Sequence, residues 1–326
     1  MTTHRRLLTI AIPTFNRNTV LFKNLTQLLP QMEEWAHILI VDNCSDIPVE
    51  ETLAELVAQF PRVNIQVIRN AVNIGGNANV LRCIELCDSD YIWIIGDDDY
   101  PCAGSLHSIY NKIQDKEAIW INFHTADPNH QPTREHEIVA VELSSFLMQL
   151  KSISELIFVS NNIFSSTHIK QGIELAQNYQ AMMAPHVISM LVGVDKLQPV
   201  GTYVITPLQL FDSISNNDDS TTAWPLYMAF LGVMSLYRLP LSNSLISKVL
   251  HLVRGARNQW LSNKYMYAAF SALSCQWGRK DAWRITAGFS ASLLKVDRFN
   301  FTISFPIYII SIAFGPLINS LRNRKR

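Results

Sequence analysis

Charge is scarce in this chain of 326 residues: Asp, Glu, Lys and Arg together make up 17%, against about 25% in an ordinary soluble domain. Neither sign is in excess, with 27 acidic and 27 basic residues, so there is no global positive field to draw the chain onto nucleic acid. The five cysteines, Cys44, Cys83, Cys87, Cys102 and Cys275, are odd in number and dispersed. They make no disulfide framework and suit a reducing compartment. Cys83 and Cys87 would share one helix face, but no second pair at zinc spacing accompanies them, so both are expected to be buried thiols. Glycine is sparse at 12 residues. These glycines form no G-x-G-x-x-G after the first strand, no phosphate loop ending in lysine and no G-x-S-x-G turn. The opening, His4-Arg5-Arg6 before Leu7 to Pro13, has too short an apolar run and no small-residue cleavage site for a signal peptide, and reads as a first strand.

Apolar residues are plentiful instead, at 48% with a mean hydropathy of +0.10, which excludes disorder and points to membrane contact. Over roughly the first third of the chain, short apolar or β-branched runs alternate with helix-length amphipathic stretches, the pattern of βαβ units and a mainly parallel sheet. Strands are expected at Leu7 to Ile12, Ile38 to Val41, Ile65 to Ile68, Tyr91 to Ile95 and Ala118 to Phe123. Helices are expected at Val20 to Met32, Glu50 to Gln59, Asn77 to Cys87 and Ser105 to Gln114. Thr125 to Glu137 lacks periodicity and reads as a loop over a sheet edge. Further on, Leu143 to Leu150 and Pro185 to Val194 look helical and Thr202 to Thr206 extended, and Ser213 to Thr222 reads as a polar loop. After Pro225 the pattern is helical: Leu226 to Tyr237, Leu245 to Arg254, Gln259 to Gln276 and Asp281 to Leu294.

Chemistry concentrates where strands end. Tyr91 to Ile95 delivers Gly96 and then Asp97, Asp98 and Asp99, three adjacent carboxylates that repel one another unless a cation neutralises them. A hard divalent ion such as Mg²⁺ or Mn²⁺ suits oxygen ligands of this kind and leaves positions for water and a diphosphate. Pro13, Thr14, Asn16 and Arg17 close the first strand, Asp42 and Asn43 the second, and Asn70 to Asn79, with Asn73, Gly75 and Gly76, follow the third. In a parallel sheet these carboxyl ends share one edge, where ligands bind. Asp42 is placed to accept hydrogen bonds from a base or ribose. The glycines permit backbone amides to approach phosphate.

Pro-Thr-Phe-Asn-Arg, Val-Asp-Asn, Asn-Ile-Gly and the strand-borne Asp-Asp-Asp, in this order, resemble the family 2 glycosyltransferases of GT-A fold over about Leu7 to Phe123. The Gly-Asp-Asp-Asp and Asn-Ile-Gly-x-x-x-Asn variants are most similar to the bacterial abequosyltransferase-like group. The resemblance implies a nucleotide-diphosphate-sugar donor lying between the Pro13 to Arg17 turn and Asp42. It also implies Asp97 facing the ribose, Asp98 on a metal that bridges the diphosphate, and Asp99 supporting that metal or approaching the sugar. Members of the family often carry Asp where this chain has Gly96 and Asn43, and an Arg where it has Val80; Arg82 is the substitute phosphate contact. The general base that such a transfer needs falls on His186, at the start of the Pro185 helix, with Asp195, Asp212, Asp218 and Asp219 as rivals.

The sequence therefore predicts an α/β, Rossmann-like GT-A catalytic domain over 1–212, a helical region packed on it over 213–298, and an apolar segment with a basic end over 299–326. Phe299 to Leu321 carries no charge, but Pro306 and Pro316 disfavour one straight span, and Arg322, Arg324, Lys325 and Arg326 suit an anionic cytoplasmic leaflet. This reads as peripheral or re-entrant attachment at the cytoplasmic membrane face, beside a lipid-linked or glycan acceptor. The competing readings are a nucleotidyltransferase, for which the Pro13 to Arg17 turn is a poor triphosphate loop, and a catalytically silent sugar-nucleotide-binding scaffold.

Overall fold

The computed structural model describes residues 6–124, 134–211 and 232–256, with single helical positions between 280 and 313. Eight strands form one sheet: β1 (Leu8–Thr14), β2 (Ala36–Asp42), β3 (Ile65–Arg69), β4 (Tyr91–Ile94), β5 (Ala118–His124), β6 (Ile138–Ala140), β7 (Asn162–Ser165) and β8 (Thr202–Gln209). The helices used below are α1 (Asn18–Leu28), α2 (Val49–Ala58), α3 (Gly76–Leu86), α4 (Ser105–Ile113), α5 (Leu143–Gln149), α6 (Ser154–Ile157), α7 (Ser166–Lys170), α8 (Ile173–Asn178), α9 (Pro185–Leu197) and α10 (Asn243–Ala256).

The strand order is β3-β2-β1-β4-β7-β5-β8-β6. β1 pairs in parallel with both β2 and β4, and β2 with β3, so β3-β2-β1-β4 is an open parallel half whose strand order reverses at β1. β7 runs antiparallel between β4 and β5, while β5 and β8 are parallel and β6 closes the far edge antiparallel to β8. Strands β1, β2 and β4 are apolar on both faces because helices cover both. Ile10, Ile12, Ile38, Ile40, Trp93 and Ile95 are fully buried against Leu21, Leu25, Leu53 and Ile109 of the helices.

Pro13 continues β1 where the sequence pattern suggested an end at Ile12, because it lies opposite Val41 and the strand runs on to Thr14 opposite Asp42. The helix expected to reach Met32 closes as α1 at Leu28 and tightens into a 3₁₀ turn over Leu29–Gln31, which contains Pro30. Of the expected helix Leu226 to Tyr237, residues 226–231 lie outside the described residues, 232–234 are helical and a 3₁₀ turn follows at Leu236–Arg238, while α10 extends the expected Leu245 to Arg254 by a half-turn at each end. Gln259 to Gln276, Cys275 and most of Asp281 to Leu294 lie outside the described residues, as do 125–133 of the expected loop and 213–222. Cys83 and Cys87 are buried, and burial pushes the Cys83 thiol well above its usual value.

The chain divides into two compact units. The first, containing the sheet, comprises Met1–Gln149, Glu155–Gln180 and Ala184–Asp218; the second comprises Leu150–Ser154, Ala181–Met183 and Asp219–Arg326. Within the second, Gly255 lies so close to Lys151 that an added Cβ would meet its carbonyl oxygen at 2.0 Å, and Ile153 N–H donates to the Leu252 carbonyl at 3.1 Å. Among the described residues no helix is long and apolar enough to cross a membrane.

Candidate active site

The register of the parallel half sets Thr14, Asp42 and Arg69 in one row at its carboxyl edge. Across the β1/β4 junction, Thr14 Oγ1 donates to Asp97 Oδ2 at 2.7 Å. The Arg17 guanidinium forks over two consecutive carboxylates, with Nη1 to Asp97 Oδ1 at 2.6 Å and Nη2 to Asp98 Oδ2 at 2.8 Å. Asp97 is buried and both its oxygens are held, whereas the Asp98 side chain is 49% exposed. Burial raises the Asp97 carboxyl to about 6 despite the opposing pull of Arg17 and Thr14.

Asp99 turns the other way. Its Oδ2 accepts from Ser160 Oγ at 2.5 Å, and that hydroxyl accepts the Gly96 N–H at 2.9 Å. Asn24 of α1 donates through Nδ2 to the carbonyls of both Gly96 and Asp99, at 3.1 and 2.6 Å. Burial raises the Asp99 carboxyl to about 6, opposed by the Ser160 hydrogen bond. A Cβ at Gly96 would meet Asp99 Oδ2 at 2.5 Å and Asp98 Oδ1 at 3.1 Å. The Asp99 carboxylate thus folds back over Gly96 and occupies the space that a side chain there would need.

Asp42 is buried within its own loop. Ser45 N–H donates to Oδ1 at 2.8 Å, while Val49 N–H at 3.4 Å and Arg69 Nη1 at 2.5 Å donate to Oδ2. These donors hold its carboxyl below the ordinary range although burial opposes them. Arg69, half-exposed, also reaches the Ser45 carbonyl at 2.7 Å. Asn16, at a positive φ of 55°, clasps Asp46 through both amide atoms and so ties the first loop to the second. Four asparagines then run in series. Asn43 Nδ2 donates to Asn73 Oδ1, Asn70 Nδ2 donates to Asn43 Oδ1 and Asn79 Oδ1, and Asn79 Nδ2 donates to the Val41 carbonyl, at 2.8, 3.0, 2.8 and 2.9 Å.

The structure thus brings Pro13, Thr14, Asn16, Arg17, Asp42, Asn73, Gly75, Asn79, Asp97, Asp98 and Asp99 to one edge, with two corrections of direction. Asp42 and Asn79 face inward as struts, and Arg82, part-way along α3, pairs with Glu85 at 2.7 Å on the helix surface. A third correction concerns the base. His186 is buried, and its Nε2, which must carry hydrogen because its partner is a carbonyl, donates to Leu156 at 3.0 Å beside the Phe164 ring. Burial lowers it to about 4, so it is a neutral packing group with no access to an acceptor hydroxyl. Asp195 stands in the last turn of α9, close to where β8 begins at the opposite edge of the sheet. Asp212, Asp218 and Asp219 lie outside the described residues. Asn24, Ser160 and Arg69 were missed as site residues, and Asn43 and Asn70, expected at this edge, carried no assigned role. Only Asn43 and Asn70 stood in recognisable polar runs; Asn24 and Ser160 sit in segments with no motif.

Residues 9–171 match the family described as "Glycosyl transferase family 2". The chain belongs to that family. It is a glycosyltransferase with a GT-A fold. It is 23% identical over 307 residues to the abequosyltransferase RfbV of Salmonella typhimurium, covering 88% of this chain and 89% of that protein. Among solved structures it is similar to S. aureus TarS 1-349 in complex with UDP-GlcNAc, with TM-score 0.62, 12% identity and 97% and 92% of the two chains covered. It is also similar to the mannosyltransferase PcManGT of Pyrobaculum calidifontis in complex with GDP-Man and Mn²⁺, with TM-score 0.52, 12% identity and 96% and 88% covered.

The donor set fits a divalent cation of that kind. Asp98 offers a half-exposed carboxylate with a second, Asp99, beside it above Gly96, and both are hard oxygen donors. No cluster of three or more His, Cys, Asp or Glu groups that could hold a metal ion is present among the described residues.

Proposed function

We propose that this glycosyltransferase moves a sugar from a nucleoside-diphosphate donor to a lipid-linked or polysaccharide acceptor in cell-surface glycan assembly, with Mg²⁺ or Mn²⁺ held by Asp98 beside Asp99. The observation that carries the reading is the Arg17 fork over Asp97 and Asp98, at the point where the strand order reverses between β1 and β4. A bound metal there would supply Lewis acidity to the departing diphosphate. The residues themselves do the positioning. Thr14 and Arg17 fix Asp97, and Asp98, which Arg17 holds through Oδ2 alone, is the outward carboxylate, while Pro13, Asn16, Asn73 and Gly75 shape the rim on which the nucleotide rests. Asp42 and Asn79 hold that rim from beneath, so Asp42→Ala would loosen nucleotide binding by releasing Arg69 and the Ser45 turn. The base falls to Asp212, Asp218 or Asp219, the acidic candidates that follow β8 in the sequence. The apolar, basic-ended 299–326 segment supports peripheral or re-entrant attachment at the cytoplasmic face of the membrane.

Purified protein screened against UDP-, CDP-, GDP- and dTDP-sugars with Mn²⁺ should hydrolyse one class of donor slowly. Asp98→Asn should cut that turnover by ~10² or more while the melting temperature is kept. Full turnover by the variant, or by wild type in excess EDTA, rules out the metal. Absence of turnover with every donor would favour the silent scaffold.

A further inference from the structure

The acidic turn is braced by residues from outside it. β7 runs antiparallel to β4, so the chain arrives at the start of β7 on the same edge that β1, β2 and β4 reach at their ends. The 3₁₀ turn Val159–Asn161 sits at that arrival point. Its Ser160 is fully buried and makes three contacts: the hydroxyl donates to Asp99 Oδ2 at 2.5 Å and accepts Gly96 N–H at 2.9 Å, and the carbonyl accepts Trp93 Nε1 at 2.7 Å. Asn24, also buried, grips the carbonyls at both ends of the same turn. Gly96 and Asp99, the residues flanking Asp97 and Asp98, are thus fixed by side chains that lie 64 and 72 residues from Gly96.

We propose that Ser160, with Asn24 as its counterpart, is a positioning residue for Asp98. It draws Asp99 inward over Gly96, and the turn so folded presents Asp98 outward to the donor's metal. This rests on the reading of Asp98 as the metal-holding carboxylate. A missing hydroxyl leaves Asp99 Oδ2 and the Gly96 N–H without their shared partner, and the turn is then free to rotate both acidic side chains.

The test is titration of Mn²⁺, followed by the paramagnetic resonance of the free ion, into the full-length protein saturated with whichever of UDP, CDP, GDP or dTDP it binds. Asp98→Asn should abolish Mn²⁺ uptake. Ser160→Ala should weaken it by about tenfold, raising the KM for the metal more than it lowers kcat, with nucleotide affinity in EDTA unchanged. Ser160→Thr, which restores the hydroxyl, should return Mn²⁺ affinity to within about threefold of wild type. Wild-type Mn²⁺ uptake by Asp98→Asn overturns the metal reading itself. Loss in Asp98→Asn together with wild-type uptake by Ser160→Ala overturns only the positioning proposal, as does a threonine variant no better than alanine. Asn24→Leu supplies an independent arm on the other side of the turn and should weaken uptake in the same direction.

Discussion

Asn70 donates to two neighbouring amide oxygens at once, and its own orientation is not free to choose. The Val41 carbonyl can only accept, so Asn79 must turn Nδ2 toward it and Oδ1 toward Asn70; at the other end the Gly75 N–H can only donate, to Asn73 Oδ1 at 2.9 Å. Asn70→Asp keeps the shape but sets three acceptors against one another, and should cost about 1 to 3 kcal/mol in urea unfolding. A midpoint equal to that of wild type would show that the series carries no weight. His186 gives a second expectation. Its folded-state value near 4 lies below the ordinary 6.5, so the unfolded chain binds the extra proton between these values. The contribution is complete above pH 6.5 and disappears as pH falls through 4, amounting to about 3 kcal/mol at 1.36 kcal/mol per unit. Urea midpoints at pH 5 and pH 7 should therefore differ less in His186→Gln than in wild type. The sequence shows that Asp42, Asn79 and His186 are polar groups near strand or helix ends. It does not show which way a side chain points, so two struts and a packing imidazole read as contacts.

Among elements, the parallel half was legible because its strands and helices follow the two hydrophobic periods closely. β7 was not. It is four residues long, and its Asn162 looks like loop chemistry until Trp120 Nε1 and Asn122 Nδ2 are seen donating to its Oδ1, each at 2.9 Å. α7 and α8 were missed for a related reason: they are short, with five and six residues, and their backbone lies very close to that of α9. A Cβ at Gly193 would meet the His168 carbonyl oxygen at 1.9 Å, and one at Gly172 the Ser189 carbonyl oxygen at 2.0 Å. Gly193→Ala must push these helices apart and should cost roughly 1 to 3 kcal/mol, read as a lower melting temperature. An unshifted melt would mean that the helix pair yields without cost. Gly193→Ala should leave nucleotide affinity in place, since α7 to α9 do not furnish the donor rim.

For the whole molecule, the segment beyond Arg298 offers the simplest dissection. Removal of residues 299–326 should abolish co-sedimentation with anionic vesicles, to which four basic residues would contribute about 1 kcal/mol each, while slow donor hydrolysis persists. Equal sedimentation of both forms would place the membrane contact elsewhere or nowhere. The sheet order has a different consequence, one of timing. β4 ends at Ile94 and β5 begins at Ala118, yet the strand between them is Asn162–Ser165. As the chain leaves the ribosome, β1 to β4 can pair at once. β5 then emerges with no partner on that side and must wait for some forty further residues before β7 joins it to the rest. The three aspartates are in the same position, because Ser160 emerges only just before β7. Synthesis therefore leaves a nascent chain that already carries the charged turn but not its brace, with an unpaired strand edge beside it. The family match ends at residue 171, just after the stretch that closes this gap.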